Sequence, residues 1–245
     1  MLKVNEKNFE STIECTLLAD GPDACEGFTA VGEPPPRYTP ESTPQFGGYV
    51  RRTSSDYDEG LCLDPELVIR FIQATQPKEW SKLKRQYGDK ARARFLHRLI
   101  KEIEKRGTID IVRNGVKDRG AKIRLVYFQP PTGLNPALQN KFQANQFSVV
   151  RQLAYSAGDK GKRHRLTLDL AIFLNGIPLF TAELKNPLTG QSYKDAIRQY
   201  KRTRDPREPL FAFGRCLAHF AVDPDQVWFA THLQGDATRF FPFNK

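Results

Sequence analysis

The sequence predicts an α/β fold in which a mixed central sheet carries helices on its faces, with an additional helical lobe. Three observations lead there. Helix signals run through residues 64–106, strand-forming segments dominate from residue 109 onward, and helical stretches at 136–145 and 193–204 interrupt those strands. At 245 residues the chain is long enough to bury a substantial core, and it shows no internal repeat or heptad pattern. Residues 1–245 are expected to form a single domain, with 64–106 as a lobe within it.

Taken in order, Phe9 to Ala19 reads as a helix ended near Gly21. Residues 30–55, with three prolines at 34–36 and further prolines at 40 and 44, read as a flexible loop. Asp64-Pro65 supplies a cap and a first-turn proline for the next helix. Glu79 to Tyr87 and Lys90 to Lys105 continue as helices, the last stopped by Gly107. Leu96, Leu99, Ile100 and Ile103 recur at the spacing of a core-facing stripe. Strands are expected at 109–112, 123–128, 148–155, 166–174, 177–184, 216–222 and 227–232.

Two of these strands flank Asn175-Gly176, the dipeptide of a tight hairpin. This hairpin is apolar except for Asp169, Glu183 and the adjacent Lys185. Desolvating an ionised side chain costs several kcal/mol unless a metal or counter-charge compensates, so carboxylates in such a context need a reason. With a two-residue turn and regular pairing, Asp169 faces Ala182 and points away from Glu183. With a three-residue loop and Gly176 as a bulge, Asp169 opposes Thr181, and Asp169, Glu183 and Lys185 share one face. The second register is the expected one, and a bulge elsewhere in either strand would serve equally. Two carboxylates so placed can hold Mg²⁺ through oxygen, and a lysine beside them can act on a water or a phosphate. The residue types equally describe a surface ion pair on the polar face of an edge strand.

Thirty-eight Lys plus Arg against twenty-eight Asp plus Glu give a formal charge of +10, which suits a polyanionic partner. Lys160, Lys162, Arg163, His164 and Arg165 precede the Asp169 strand, and a second basic cluster from Lys194 to Arg207 follows the hairpin. Both would flank the same site, whereas Lys82 to Arg94 reads as solvated helix surface. Cys15, Cys25, Cys62 and Cys216 lack metal-finger spacing and are expected as reduced thiols of a cytoplasmic protein. The four histidines are dispersed, and His219, alternating with strand residues, reads as packed or hydrogen bonded. Gly158 to Lys162 lacks the spacing and the Ser or Thr of a phosphate-binding loop, so no ATP hydrolysis is expected of this chain. No apolar run is long enough to span a membrane.

The Asp169…Glu183-Leu-Lys185 hairpin resembles the core of PD-(D/E)xK nucleases. Glu183-Leu-Lys-Asn-Pro187, followed by Thr189-Gly-Gln191, is similar to the endonuclease domain of type I restriction-enzyme R (HsdR) subunits. The likeness extends through Gln199-Tyr200, Arg204-Asp-Pro206, Phe213 to Cys216, His219 to Asp223 and Phe241 to Lys245, and upstream through Phe9-Glu10, Ile13-Glu14, Asp56 to Asp58, Thr75 to Pro77 and Gly115 to Asp118.

The resemblance implies a Mg²⁺-dependent endonuclease of double-stranded DNA, with Mn²⁺ able to substitute. Asp169 and Glu183 would be metal ligands and Lys185 the catalytic lysine. Such domains often add a glutamate from the first helix, here Glu14, with Glu10 one turn earlier on the same face. DNA contacts would come from Lys160, Lys162, Arg163, Arg165, Lys194, Arg198 and Gln199. R subunits commonly carry a Gln-x-x-x-Tyr motif, from which this chain departs, since Thr203 stands four residues after Gln199. The resemblance further implies an ATP-driven motor region absent from this chain, and partnership with specificity and methyltransferase subunits. The rivals are a nuclease-fold module that docks on DNA without cutting it, and a nuclease for another nucleic-acid structure.

Overall fold

The computed structural model describes residues 6–18, 48–132, 134–156 and 166–244. Chain order gives helix α1 (Glu6–Leu18), strand β1 (Tyr49–Arg52), helices α2 (Pro65–Thr75), α3 (Pro77–Tyr87), α4 (Ala91–Arg106) and α5 (Thr108–Asn114), and the short hairpin β2 (Val116–Asp118) and β3 (Ala121–Ile123). Helix α6 (Pro136–Gln143), strands β4 (Phe147–Ser156), β5 (Leu166–Leu174) and β6 (Ile177–Leu184), helix α7 (Tyr193–Arg202), and strands β7 (Ala218–Val222), β8 (Val227–Ala230) and β9 (Phe241–Pro242) follow. Seven strands form one sheet in the order β1-β4-β5-β6-β7-β8-β9. The β1–β4 and β6–β7 pairs are parallel and the rest antiparallel, which makes the sheet mixed and the fold α/β as expected.

Side-chain alternation along β6 assigns its two faces. Ala182 and Leu184 pack with Leu18, Phe9 and Ile13 of α1, whereas Thr181 and Glu183 point to the side where Tyr200 of α7, Leu210 and Phe211 are buried. A third apolar cluster joins α2, α3, α4 and α5 to β3, around Phe95, Leu99, Ile72 and Ile111. It also takes in Ile177 at the start of β6, so the helical lobe is packed onto the hairpin.

Several expected elements change. Residues 109–112 lie in α5 and not in a strand. Their β-branched side chains are overridden by the stop of α4 at Gly107, whose φ is 78°, by the Thr108 amide donating to the Gly214 carbonyl, and by the Arg106–Asp110 ion pair along the helical turn. The run 123–128 is a strand only at its first residue. Beyond it the backbone is satisfied by side chains: Gln76 exchanges hydrogen bonds with the N–H and C=O of Arg124, and Asn175 donates to the Leu125 carbonyl. Residues 30–47 of the expected loop lie outside the described residues, and 49–52 form β1 at the sheet edge. Cys15 is disulfide-bonded, which corrects the expectation of reduced thiols there, whereas Cys62 and Cys216 are free and buried.

The hairpin turn is the part of the fold that positions the site. Asn175 and Gly176 both have positive φ, 51° and 83°, and Leu174 pairs with Ile177, so the turn has two residues and not three. Its tip is buried. Asn175 accepts from the Gln146 amide and donates to Leu125 and Asn145, and the Gly176 carbonyl accepts from the Asp64 amide at the start of α2. A Cβ on Gly176 would run into the Asp64 carbonyl oxygen and Val68. Gly176→Ala should therefore destabilise the protein by about 2–4 kcal/mol, from left-handed strain plus overpacking, read as a shift in the urea midpoint at unchanged slope.

Candidate functional site: a carboxylate pair beside a buried arginine

The expected register, with Asp169 opposite Thr181, does not form, but a bulge within β6 still brings the expected residues to one face. Phe173 pairs with Pro178 but Ile172 pairs with Phe180, so Leu179 is the extra residue of a β-bulge. The physical cause lies next to it, because Pro178 has no N–H to give the ladder and strands accommodate proline at irregularities. Beyond the bulge Leu170 faces Ala182, and the same register sets Asp169 opposite Glu183. Asp169, Glu183 and Lys185 thus share one face, by a two-residue turn and a bulge at Leu179 and not by the expected three-residue loop.

Glu183 is wholly buried. Its Oε1 accepts from Arg204, whose Nε and Nη2 both lie 2.6 Å away. Arg204 is itself buried, donates through Nη1 to the Tyr155 hydroxyl at 3.1 Å, and lies over that ring. The other oxygen, Oε2, is buried without a hydrogen-bond partner. Burial pushes the Glu183 carboxyl up to about 8; Arg204 opposes this and Asp169, close by, adds to it. Asp169 is tethered on both oxygens: Oδ2 accepts from the Leu184 amide at 2.8 Å and Oδ1 from Gln152 Nε2 at 3.4 Å. Lys185 Nζ stands 3.9 Å from Asp169 Oδ2, with its side chain 9% exposed, and its amide donates to Val222 of the parallel neighbour β7.

Both first-helix glutamates are buried. Glu14 is held between Arg51 and Arg151, one on each carboxylate oxygen at 3.1 Å. Glu10 faces the site instead. It accepts from Gln152 Nε2 at 2.8 Å and from Arg151 at 3.4 Å, and burial followed by the nearby Asp169 raises its pKa against the pull of Arg151 and Gln152. Among the described residues, no three His, Cys, Asp or Glu side chains are close enough together to hold a metal ion by themselves.

Lys160, Lys162, Arg163 and Arg165 lie outside the described residues. On α7, Arg198 pairs with Asp195, Lys194 lies over the Tyr193 ring, and Gln199 is half-buried. The N-terminus of α7 is tied to the strand end, because Asp223 just after β7 accepts from the Tyr193 amide. Tyr200 and His219 meet at the Thr181 hydroxyl, and burial lowers His219 to about 4, so it is a neutral, hydrogen-bonded core residue as expected. Sequence reading missed Arg204, Arg151 and Gln152. Arg204 had a signal, since a buried glutamate requires a cation and Arg204-Asp-Pro206 is among the family-like segments.

Removing Arg204 would strand a buried carboxylate. Above about pH 8, where Glu183 is ionised, Arg204→Met should cost about 3–5 kcal/mol, and adding Glu183→Gln should recover a large part of it, as measured by denaturant unfolding of the singles and the double. A pH dependence follows from the raised Glu183 pKa. A carboxyl whose folded value of about 8 exceeds its ordinary 4.5 stabilises fully below the ordinary value and loses that contribution as pH rises through the folded one. In chelator, wild type should lose stability relative to Glu183→Gln between about pH 5 and about pH 9, as read from thermal melts.

No curated protein and no solved structure matches the chain. The profile of one family, described as type I restriction enzyme R protein N terminus, matches residues 64–238, a span that holds the hairpin, Gln152 and Arg204 but not α1. With more than half of its length matched, the chain belongs to the family of the type I restriction enzyme R protein N terminus.

Proposed function

We propose that this chain is a Mg²⁺-dependent endonuclease domain that hydrolyses phosphodiester bonds of duplex DNA in the restriction of foreign DNA. The observation that carries the proposal is the second oxygen of Glu183, buried without a donor beside Asp169. Two carboxylates in that relation repel unless a proton or a cation stands with them, and oxygen donors of this kind fit a hard divalent ion. Asp169 and Glu183 would hold it, with Mn²⁺ an acceptable substitute and water or phosphate oxygens completing the shell. A bound magnesium ion supplies positive charge against the phosphodiester and acidifies a water.

The protein's own groups do the remainder. Arg204 fixes Glu183 through Oε1, leaving Oε2 without a donor. The Leu184 amide holds Asp169 in place. Lys185, beside Asp169, carries a positive charge that can orient a nucleophile or offset charge on the phosphate as it develops. Lys194 and Arg198 on α7, with Lys160, Lys162, Arg163 and Arg165, would steer the backbone of the duplex. Partner subunits for sequence recognition and methylation, and an ATP-driven motor elsewhere in the enzyme, belong to the same proposal.

A second reading, a nuclease-fold module that docks on DNA without cutting, is favoured by one observation: no three metal-ligating side chains cluster among the described residues. Cleavage of plasmid DNA in Mg²⁺ by the assembled enzyme separates the two. Lys185→Ala should bind DNA normally and lose about 10²–10³-fold in turnover, and Asp169→Ala should lose turnover with its fold retained. Wild-type cleavage by Lys185→Ala would remove the lysine from the mechanism, and absence of cleavage in every form, with DNA binding intact, would favour docking.

A further inference from the structure

Gln152 sits in the middle of β4 with φ of 49°, the left-handed region that glutamine rarely occupies. Its neighbours pair normally, Arg151 with Leu170 and Leu153 with Leu168, so the irregular residue is the one opposite Asp169. Within β4 the left-handed φ falls on the residue whose side chain reaches the site, and the strand's one register shift comes later, between Ala154 and Ser156. One amide nitrogen, Nε2, donates to Glu10 Oε1 at 2.8 Å and to Asp169 Oδ1 at 3.4 Å. An amide NH₂ has two hydrogens, enough for one bond to each carboxylate, whereas its oxygen end would repel both.

We infer that Gln152 is a positioning residue, whose strained backbone aims one neutral amide at Glu10 and Asp169 together and so presets the spacing of the site's acids. The inference rests on the metal-dependent reading above. Its chemistry explains the residue type. A lysine or arginine bridging the same two oxygens would neutralise the charge that a cation needs, whereas an amide relieves repulsion between the carboxylates and leaves their charge in place. Strain retained at a position opposite a site acid is then kept for the site and not for the fold. Gln152 is exposed, so its side chain supports no apolar packing, and function and stability can be separated by mutation.

The separating variants are Gln152→Gly, which removes the amide and relaxes the backbone, and Gln152→Ala, which removes the amide and keeps the strain. Calorimetric titration with Mn²⁺ and thermal melts would be run on both, with wild type and Glu183→Ala as references. Both Gln152 variants should bind Mn²⁺ about tenfold or more weakly. Gln152→Gly should melt no lower than wild type and about 2–4 °C above Gln152→Ala. If Gln152→Gly keeps wild-type affinity while Glu183→Ala loses it, the positioning role is wrong and the metal reading survives. If Glu183→Ala binds as wild type does, or wild type does not bind, the metal reading fails and this inference fails with it. A Gln152→Gly that melts well below wild type would make the residue a structural strut and overturn the proposal.

Discussion

The site depends on one carboxylate that is wholly desolvated and only half compensated. Glu183 gives Oε1 to Arg204 and keeps Oε2 unsatisfied beside Asp169. A buried charge of this kind costs several kcal/mol, so it persists in a sheet only where surrounding structure fixes it. Here the fixing is visible on every side. Arg204 is held by Tyr155, Asp169 is bound by the backbone amide of Leu184, and Lys185 is pinned by the parallel pairing with β7. Burial holds the carboxyl near the balance between its protonated and ionised states at neutral pH, with Arg204 pulling one way and Asp169 the other.

Much of this was legible in the sequence. The Asn175-Gly176 turn between β-forming runs announced the hairpin, and three charged residues in an otherwise apolar element announced the site. How the acids come to share a face was not legible in detail. A period of two makes a single inserted residue decisive, and whether it sits in the turn or beside Pro178 changes no residue type. That Glu183 needs a cation was legible, but spacing could not single out which one, because Arg204 lies 21 residues away, beyond a helix, among several arginines. Glu10 and Glu14 share Arg151, and what separates them is the second partner, Arg51 for Glu14 and Gln152 for Glu10. Helical periodicity places both on one face and is silent on that difference.

Where secondary structure was misread, the deciding bonds were long range. Residues 109–112 have strand propensity and form a helix, and residues 124–128 have it and form neither. In each case backbone groups find partners far along the chain: Thr108 with Gly214, Arg124 with Gln76, Leu125 with Asn175. Local propensity amounts to a few tenths of a kcal/mol per residue, and a buried peptide group left unpaired costs more than that.

Asn175 and Gln76 also show what the helical lobe contributes to the site it does not touch. The hairpin tip is locked at both residues: Asn175 is bonded to Leu125, Asn145 and Gln146, and Gly176 is pressed on the first turn of α2, in the lobe, with no room for a side chain. That contact fixes which residues occupy the turn. Once the turn is fixed at two residues, regular pairing would set Asp169 against Ala182, and only the bulge at Leu179 returns it to Glu183. The lobe and the proline-adjacent bulge therefore act in series. One sets the register and the other corrects it, and the carboxylate pair exists because both are present in the same hairpin.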